Sequence, residues 1–257
     1  MKKNDWPEDI TIAHALGGID GVSYTNSLEA FGENYAKGHR TFEVDFSVTS
    51  DGRLVCLHDW KEGEQNGVTT GGAASEEQFL SAKFAGKYTT LSLAGVFALM
   101  KEYPNIWIVT DTKDAGEEQV RRDFEILVAT AKEMNAEDVL ARFVVQFYSE
   151  KMFRVIEDVW PFDNYIFTLY QLWGGRLLPL KQRIFSMERC VRFCKENSVP
   201  VITMWAHLAN EQVLQIANDN GIEIYVHTVN DLPQAKKLRA LGVKGVYTDF
   251  LSPADFD

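Results

Sequence analysis

The chain has 257 residues, of which 46% are hydrophobic, 25% charged and 12% aromatic, a composition that excludes a disordered, collagen-like or coiled-coil protein. Lysine and arginine number 26 against 37 aspartate and glutamate, for a formal net charge of −11. Long-range electrostatics therefore disfavour binding to nucleic acid or to anionic lipid heads. The same field repels a phosphorylated substrate, so activity on one requires a local positive centre, either a metal ion or a well-placed lysine.

Cysteine content and hydropathy bear on the compartment. The three cysteines, Cys56, Cys190 and Cys194, are too few for a disulfide scaffold, and an odd number cannot all pair. We expect them to be core thiols. The polar residues between Asn4 and Asp9 leave no apolar segment for a signal peptide, and charged residues interrupt the apolar stretch at 96–109. We predict a cytoplasmic protein without stable membrane association, and the sequence leaves its oligomeric state open.

Short β-branched or aromatic runs alternate along the chain with longer segments of helical period. Strands are predicted at residues 10–14, 41–48, 54–58, 105–112, 139–147, 165–169, 200–204, 222–229 and 243–248. Helices are predicted at residues 27–37, 76–82, 93–103, 117–134, 149–159, 187–197, 211–220 and 232–241. Asn26 is the predicted N-cap of the first helix, and Ser75 with Gln78 forms a predicted capping box for the second.

The alternation of strands and helices predicts crossover units and a parallel sheet. About eight such units favour a closed (β/α)₈ TIM barrel over an open doubly wound sheet. No Gly-x-Gly-x-x-Gly turn follows the first strand, which argues against dinucleotide binding. Residues 60–90 are rich in Gly, Thr, Ser and Glu. We predict an α/β protein with a single TIM-barrel catalytic domain over residues 1–257 and a small insertion at 60–90.

Polar residues at the ends of the predicted strands are candidates for an active site, because in parallel barrels the site lies at the C-terminal strand ends. His14 ends the first strand, and His58 ends the extended run at 54–58. Glu43 and Asp45 share one face of the second strand, about 7 Å apart. An inward-facing salt bridge is an alternative explanation for the carboxylate pair, but two strand-end histidines at the same mouth favour catalysis.

A third carboxylate and a lysine follow at the end of the strand at 105–112. Asp111 and Lys113 share a face there, although a strand-end ion pair is the commoner explanation for such a spacing. Three carboxylates suit Mg²⁺ or Ca²⁺ better than zinc. The sequence therefore predicts one divalent cation held by Glu43, Asp45 and Asp111, with His14 and His58 left as general acid and base and with Lys113 facing a phosphate.

The remaining aromatic and histidine candidates carry less information. Trp205, at a predicted strand end, can pack under a choline or glycerol group, with buried packing as the alternative. His39, beside Arg40 in the turn before the second strand, is predicted to be a surface residue. His207 lies in a loop after a strand, and the sequence supports either a structural or a functional role for it.

The order of these motifs resembles the glycerophosphodiester phosphodiesterases. The matching segments are His14, Tyr24-Thr25-Asn26-Ser27-Leu28-Glu29-Ala30-Phe31, Glu43-Val44-Asp45, Val48-Thr49-Ser50-Asp51-Gly52-Arg53-Leu54-Val55, His58-Asp59, Thr228-Val229-Asn230, Gly242-Val243 and Thr248-Asp249. Together they extend over nearly the whole chain, and the set is specific although each piece alone is not.

The resemblance implies a (β/α)₈ barrel that uses a divalent cation to hydrolyse glycerophosphodiesters to an alcohol and glycerol phosphate, as in glycerol and lipid metabolism. His14 and His58 match the family's acid/base pair, Glu43 and Asp45 match metal ligands, and Asp111 falls where the family has a third acidic ligand. Lys113 matches a phosphate-facing lysine. His227 precedes Thr228 where relatives often place an aromatic residue, so it is a candidate for lining the pocket. The insertion at 60–90 matches a segment that overhangs the barrel mouth.

The chain departs from the family pattern at three positions. Ala15 replaces the arginine of the family's His-Arg, Thr25 stands where glutamate is common, and Asp111 is one methylene shorter than the usual glutamate. The first change removes a guanidinium that helps to hold the phosphate, for which Arg40 or Arg176 is a candidate substitute. These changes concern the substrate more than the reaction.

Three other functions are alternatives to phosphodiester hydrolysis. A phospholipase-type relative would use the same histidines on lipid head groups, but the acidic composition and the lack of an apolar anchor disfavour it. A phosphate-ligand binding barrel that has lost turnover is disfavoured by the retention of both histidines. A sugar isomerase would spread its metal ligands over later strands, whereas four candidates here fall within the first 58 residues.

Overall fold

The structure is a computed structural model that describes residues 6, 11–113, 116–169 and 180–256, with side chains for all of these except 180–185. Its elements follow the alternation predicted from the sequence. The strands are β1 (Thr11–Ala13), β2 (Thr41–Val48), β3 (Leu54–Cys56), β4 (Lys83–Phe84), β5 (Tyr88–Thr89), β6 (Trp107–Thr112), β7 (Phe143–Phe147), β8 (Asn164–Thr168), β9 (Val201–Trp205), β10 (Glu223–His227) and β11 (Gly245–Thr248). The helices are α1 (Leu28–Ala36), α2 (Trp60–Gln65), α3 (Glu76–Ser81), α4 (Leu93–Glu102), α5 (Glu117–Glu133), α6 (Glu150–Val159), α7 (Leu180–Glu196), α8 (Glu211–Asn218) and α9 (Leu232–Ala240).

Eight parallel strands close into a barrel. The strands β2, β6, β7, β8, β9, β10 and β11 pair in this order, and β1 pairs with both β2 and β11. The predicted (β/α)₈ TIM barrel is therefore confirmed. The strand β3 is an antiparallel partner of β2 outside this ring, and it ends at Cys56, before His58.

The interior of the barrel is filled by a hydrophobic cluster below the mouth. Seven of the barrel strands each contribute one residue to it, and Trp6 packs with them. Gly245 allows this packing, because a Cβ atom at that position would lie 2.3 Å from the ring of Tyr225. The exception is β2, whose inward-facing residues include Glu43 and Asp45, so the barrel carries two buried carboxylates above an apolar floor.

The start of α1 differs by one residue from the sequence prediction. Ser27 is the N-cap, and its Oγ accepts a hydrogen bond from the backbone N–H of Ala30 at 3.2 Å. Asn26, the predicted cap, instead donates from Nδ2 to Asp45 Oδ2 at 2.9 Å. The prediction was wrong because either residue type can cap a helix, and the tertiary contact of Asn26 is invisible in the sequence.

The segment at 60–90 contains more regular structure than the single short helix predicted for it. It consists of α2, α3 and the hairpin of β4 and β5. The capping box of Ser75 and Gln78 is present at α3, as predicted. The hairpin contacts the loop after β1, where Tyr88 donates to Asp20 at 3.1 Å, and the start of α1, where the backbone N–H of Thr89 donates to Glu29 at 2.7 Å. These bonds fix the segment beside the first βα loop of the barrel.

His39 is buried, with an exposed fraction of 1%. Its Nε2 lies 3.0 Å from the carbonyl oxygen of Leu251, and burial lowers the pKa of its ring to about 4. The prediction of a surface residue is therefore wrong, because the C-terminal segment covers this turn.

Within the ranges that the structure describes, no helix is both long enough and apolar enough to cross a membrane.

Candidate active site

The C-terminal ends of the barrel strands surround a cavity of about 560 Å³, which we call the barrel mouth. Six of the eight side chains singled out in the sequence lie on its wall, and the other two, Glu43 and Asp45, lie directly beneath it, beside His14, Asp111 and Lys113. The lining residues are His14, Tyr24, His58, Asp111, Lys113, Tyr148, Trp205, His227 and Thr228.

Three buried carboxylates form an acidic cluster, composed of Glu43, Asp45 and Asp111. β2 and β6 pair in a register that places Asp45 opposite Asp111, with Glu43 two residues earlier on the same face. One oxygen from each residue lies within 4.8 Å of the others. The predicted set of three carboxylates is thus brought together by a single strand pair.

Burial and mutual repulsion make the acidic cluster costly to ionise. Burial raises the pKa of Glu43, and the charge of Asp45 raises it further. Burial likewise raises the pKa of Asp111. Burial also opposes ionisation of Asp45, but the positive charges of Lys113 and His14 and the hydrogen bonds from Asn26 and Lys113 together outweigh it and lower the pKa of that carboxyl. The cluster therefore depends on a positive charge for its stability.

Lys113 supplies such a charge. Its ammonium contacts Asp45 Oδ1 and lies 2.5 Å from Asp111 Oδ2. Burial opposes its charge, but Asp45 and Asp111 raise its pKa. The buried Oε1 of Glu43 and Oδ1 of Asp111 have no hydrogen-bond partner among the described residues. Unpartnered carboxylate oxygens at this spacing are the donors that a hard divalent cation requires, so the residues fit such an ion.

Two groups that sequence reasoning missed hold the acidic cluster in place. Asn26 binds Asp45 twice, because its Oδ1 also accepts the backbone N–H of Asp45 at 3.2 Å. The backbone N–H of Ala15 donates to Glu43 Oε2 at 2.7 Å, in a turn where Ala15 and Leu16 have φ of 50° and 65°. The available signal for Asn26 was that the next residue, Ser27, can also cap the helix, which leaves the Asn26 side chain for another contact. Nothing in the sequence predicts the turn at Ala15.

His14 follows β1 and is almost completely buried. Its Nδ1 lies 2.8 Å from Asp249 Oδ1, and its Nε2 lies 3.9 Å from Glu43 Oε2. Burial opposes protonation of the ring, but the hydrogen bond to Asp249 and the charges of Glu43 and Asp45 outweigh burial and raise its pKa to about 9. In the sequence, Asp249 belongs to the Thr248-Asp249 motif, for which no individual role is predicted.

His58 lies on the more open side of the mouth, with 37% of its side chain exposed. Its Nδ1 lies 3.0 Å from Asp59 Oδ2, and Asp59 Oδ1 caps α2 by accepting the backbone N–H of Glu62. The helix cap thus also orients the histidine. The ring of Tyr24 lies between the two histidines, with centroids 4.6 Å from His14 and 5.2 Å from His58. Tyr24 was not predicted as a site residue.

Aromatic side chains line the opposite side of the mouth. Trp205 and His227 end the neighbouring strands β9 and β10 and are in register. Trp205 is half-buried and stacks on His207 at 5.6 Å between ring centroids. Burial lowers the pKa of His227 to about 3, so its ring is neutral. Tyr148, which was also missed, directly follows β7.

Of the two candidate substitutes for the missing arginine, the structure describes Arg40 and does not place it in the mouth. Arg40 precedes β2, at the opposite end of the barrel, where it donates to the carbonyl of Tyr35 and lies 4.0 Å from the ring centroid of that residue. Arg40 therefore does not replace the guanidinium. Arg176 lies outside the described residues. Among the described residues, Lys113 is the one lysine or arginine that lines the cavity.

Comparison with known proteins identifies the family. The model of the "Glycerophosphoryl diester phosphodiesterase family" matches residues 18–252. An Oleispira antarctica phosphodiesterase, solved in complex with the product sn-glycerol-3-phosphate, is 14% identical over 96% of this chain and 95% of its own, with a TM-score of 0.69. A glycerophosphodiester phosphodiesterase from Parabacteroides distasonis is 18% identical over 95% of this chain and 94% of its own (TM-score 0.67), and one from Thermotoga maritima is 18% identical over 94% of each chain (TM-score 0.64). These structures support the fold, and the family match confirms the predicted enzyme class. The chain belongs to the glycerophosphoryl diester phosphodiesterase family.

Proposed function

We propose that this chain hydrolyses glycerophosphodiesters to an alcohol and glycerol phosphate, with His14 and His58 as the acid/base pair and one divalent cation as cofactor. The observation that carries the proposal is the arrangement of the mouth, in which two histidines flank Tyr24 next to a buried acidic cluster with unpartnered oxygens. Family membership supports the reaction class. We further propose that residues 1–257 form one catalytic domain, with the segment at 60–90 shaping the mouth.

Glu43, Asp45 and Asp111 would hold the cation, which we propose to be Mg²⁺ or Ca²⁺ because all the donors are carboxylate oxygens. A cation bound there supplies positive charge to the phosphate oxygens and so stabilises charge that builds up during the reaction. Lys113 borders the acidic cluster and the cavity, and it provides a second positive charge for the phosphate. This local charge offsets the repulsion from a chain of net charge −11.

The two histidines divide the proton transfers between them. One ring removes the proton of the attacking hydroxyl, and the other donates a proton to the leaving alkoxide. The attacking group is either water or the glycerol hydroxyl of the substrate. Both rings are oriented by a carboxylate at Nδ1, Asp249 for His14 and Asp59 for His58. Each therefore has its Nε2 available for the reaction.

We propose a small soluble diester as the substrate. The product found in the Oleispira antarctica relative is sn-glycerol-3-phosphate, which supports a glycerol phosphate moiety at the acidic side of the mouth. The half-buried ring of Trp205 and the neutral ring of His227 would contact the alcohol group. The acidic net charge argues against nucleic acid as a substrate.

The test is release of glycerol phosphate from a panel of glycerophosphodiesters with Mg²⁺, Ca²⁺, Mn²⁺ or EDTA. We expect turnover that requires a metal and falls by about 10² to 10⁴-fold in both His14→Ala and His58→Ala. His39→Gln is the matched control, since it alters a buried histidine outside the mouth. Binding of glycerol phosphate by calorimetry, without turnover of any diester, would instead indicate a binding barrel, and turnover of lipid substrates alone would indicate a phospholipase.

A further inference from the structure

The closure of the barrel brings His14 and Asp249 together from opposite ends of the chain. β1 and β11 pair in parallel with Ala13 opposite Thr248, so the next residue of each strand emerges at the same point of the mouth. His14 Nδ1 and Asp249 Oδ1 meet there at 2.8 Å, and both residues are buried. The last strand of the barrel thus supplies a carboxylate to the histidine that follows the first.

Asn230 determines which oxygen of Asp249 faces His14. The backbone N–H of Asp249 donates to Asn230 Oδ1 at 2.7 Å, and the hydroxyl of Thr248 donates to the same oxygen at 3.0 Å. Because a backbone N–H can only donate, the oxygen end of the Asn230 amide must face it. The amide nitrogen then donates to Asp249 Oδ2 at 2.6 Å. Asp249 Oδ1 is thereby directed to His14.

We propose that Asp249, held by Asn230, is a positioning residue that keeps a hydrogen on His14 Nδ1 and presents Nε2 to the reacting atoms. An ionised carboxylate only accepts hydrogen bonds, so the ring nitrogen that faces it must carry the hydrogen. Nε2 then lies on the opposite edge of the ring, 3.9 Å from Glu43 Oε2. The inference rests on the proposed function, since it assigns the orientation of one of its two histidines.

This role accounts for two sequence motifs that the acid/base pair and the metal ligands leave unexplained. Asn230 ends the Thr-Val-Asn motif after β10, and Asp249 ends the Thr-Asp motif after β11. Thr248 connects the two motifs, because its hydroxyl donates to Asn230 and accepts the backbone N–H of Leu251 at 3.0 Å. Both motifs therefore serve one hydrogen-bond chain that ends on the ring of His14.

The decisive variant is Asp249→Asn. The amide nitrogen of Asn230 still needs an acceptor, so the oxygen of the new amide turns toward it and the new amide nitrogen faces His14 Nδ1. That nitrogen donates, so Nδ1 must accept, and the ring is then neutral with its one hydrogen on Nε2. We expect kcat to fall about 100-fold or more, with KM changed by less than about threefold.

The double variant Asn230→Asp/Asp249→Asn is predicted to restore the geometry. The new carboxylate at position 230 still accepts the backbone N–H and the Thr248 hydroxyl, and its second oxygen accepts the amide nitrogen at position 249. The amide oxygen at 249 then faces His14 Nδ1 again. We expect kcat of the double variant to be at least about tenfold higher than kcat of Asp249→Asn. The single variant Asn230→Asp places two carboxylates side by side and is expected to lose activity.

A matched control separates positioning from stability. Asp255 accepts the backbone N–H and the hydroxyl of Ser252 at 2.7 and 2.9 Å, outside the mouth. Asp255→Asn is expected to lower the melting temperature without lowering kcat. Retention of kcat within threefold in Asp249→Asn, or failure of the double variant to exceed it, overturns the proposal.

A second readout does not depend on turnover. In ¹⁵N-labelled protein, the His14 Nδ1–H signal, identified by its loss in His14→Gln, is expected in the wild type and in the double variant. It is expected to be absent in Asp249→Asn. If the wild type releases no glycerol phosphate, the proposed function fails while this spectrum still decides the positioning role. Persistence of the signal in Asp249→Asn would overturn it.

Discussion

The two sides of the barrel mouth are held in different ways. On the acidic side, formed by β1, β2 and β6, the three carboxylates and His14 are buried, and directed hydrogen bonds fix Asp45 through Asn26 and His14 through Asp249. On the aromatic side, formed by β7, β9 and β10, Tyr148 and His227 are buried, but Trp205 is half-buried and stacks on the exposed ring of His207. Ring stacking tolerates small shifts that a shared cation or a proton transfer does not.

Under the proposed function, this difference assigns the reaction to the acidic side and the choice of alcohol group to the aromatic side. Charges that hold a cation and move protons need fixed distances, and a pocket for varied alcohol groups needs apolar area and few directed bonds. We therefore expect substitutions on the acidic side to lower kcat with every diester. Substitutions on the aromatic side are expected to change the preference among diesters.

The largest effect is expected for Glu43→Gln. The change removes one of the three carboxylates of the buried acidic cluster and leaves the side-chain volume nearly unchanged. The Oε1 atom of Glu43 has no hydrogen-bond partner among the described residues. We expect turnover to fall by about 10³-fold with every diester, together with weaker Mg²⁺ binding by calorimetry. Glu33→Gln, which alters an exposed carboxylate on α1 paired with Lys37, is the control. Turnover within tenfold of the wild type would exclude Glu43 as a ligand.

A smaller loss is expected for Asn26→Ala. The variant removes both hydrogen bonds that orient Asp45 but leaves the carboxylate in place. Loss of such an outer contact typically lowers metal affinity or activity by about 10 to 100-fold. Asn164→Ala is the control, because Asn164 is also buried and bonded, to the carbonyl of Ala141 at the other end of the barrel. Equal losses in both variants would mean that Asn26 acts through stability alone.

Trp205→Ala tests the aromatic side. A cation–π contact is worth about 0.5 to 2 kcal/mol, so we expect KM for a choline diester to rise by about 2 to 30-fold while kcat stays within about twofold. KM for a diester with a small neutral alcohol should change less. Trp160→Ala is the control, because that ring is also half-buried but packs near Lys132 away from the mouth. A uniform loss of kcat would place Trp205 with the acidic side instead.

The candidate residues that the sequence could identify are those whose placement follows from strand position. Glu43 and Asp45 could be predicted to share a face because side chains alternate along a strand, and Asp111 lies beside them because β6 pairs with β2. The barrel fold could be predicted from the alternation of strands and helices along the chain. Motif resemblance then supported the phosphate-facing placement predicted for Lys113 and added His227 as a candidate for lining the pocket.

The residues that the sequence did not reveal act through contacts between distant segments. Asn26 is of a residue type that commonly caps helices, and only the packing of its loop on β2 shows that it binds Asp45. Asp249 lies 235 residues from His14 and becomes its partner only when the barrel closes. His39 lies beside a charged residue in a turn, and only the fold shows that the C-terminal segment buries it. Periodicity reports which way a side chain faces, but it does not report what lies opposite.

The smallest effect on catalysis is expected for His39→Gln, because His39 lies outside both sides of the mouth. The variant is expected instead to change how the free energy of unfolding depends on pH. Burial lowers the pKa of His39 to about 4 from its ordinary 6.5. Between these values the unfolded chain binds a proton that the folded chain excludes, so this histidine makes the protein less stable as the pH falls from 6.5 toward 4, and it has no such effect at higher pH.

The glutamine of His39→Gln can still donate to the carbonyl of Leu251, but it does not titrate. Measured by urea unfolding, the free energy of unfolding of the wild type should fall by about 2 kcal/mol more than that of the variant between pH 7 and pH 5. His207→Gln, at an exposed position, should follow the wild type. If the free energy of unfolding depended on pH in the same way in the wild type and in His39→Gln, water would have to reach the His39 ring. The two proteins should have equal kcat, because no part of the mouth has changed.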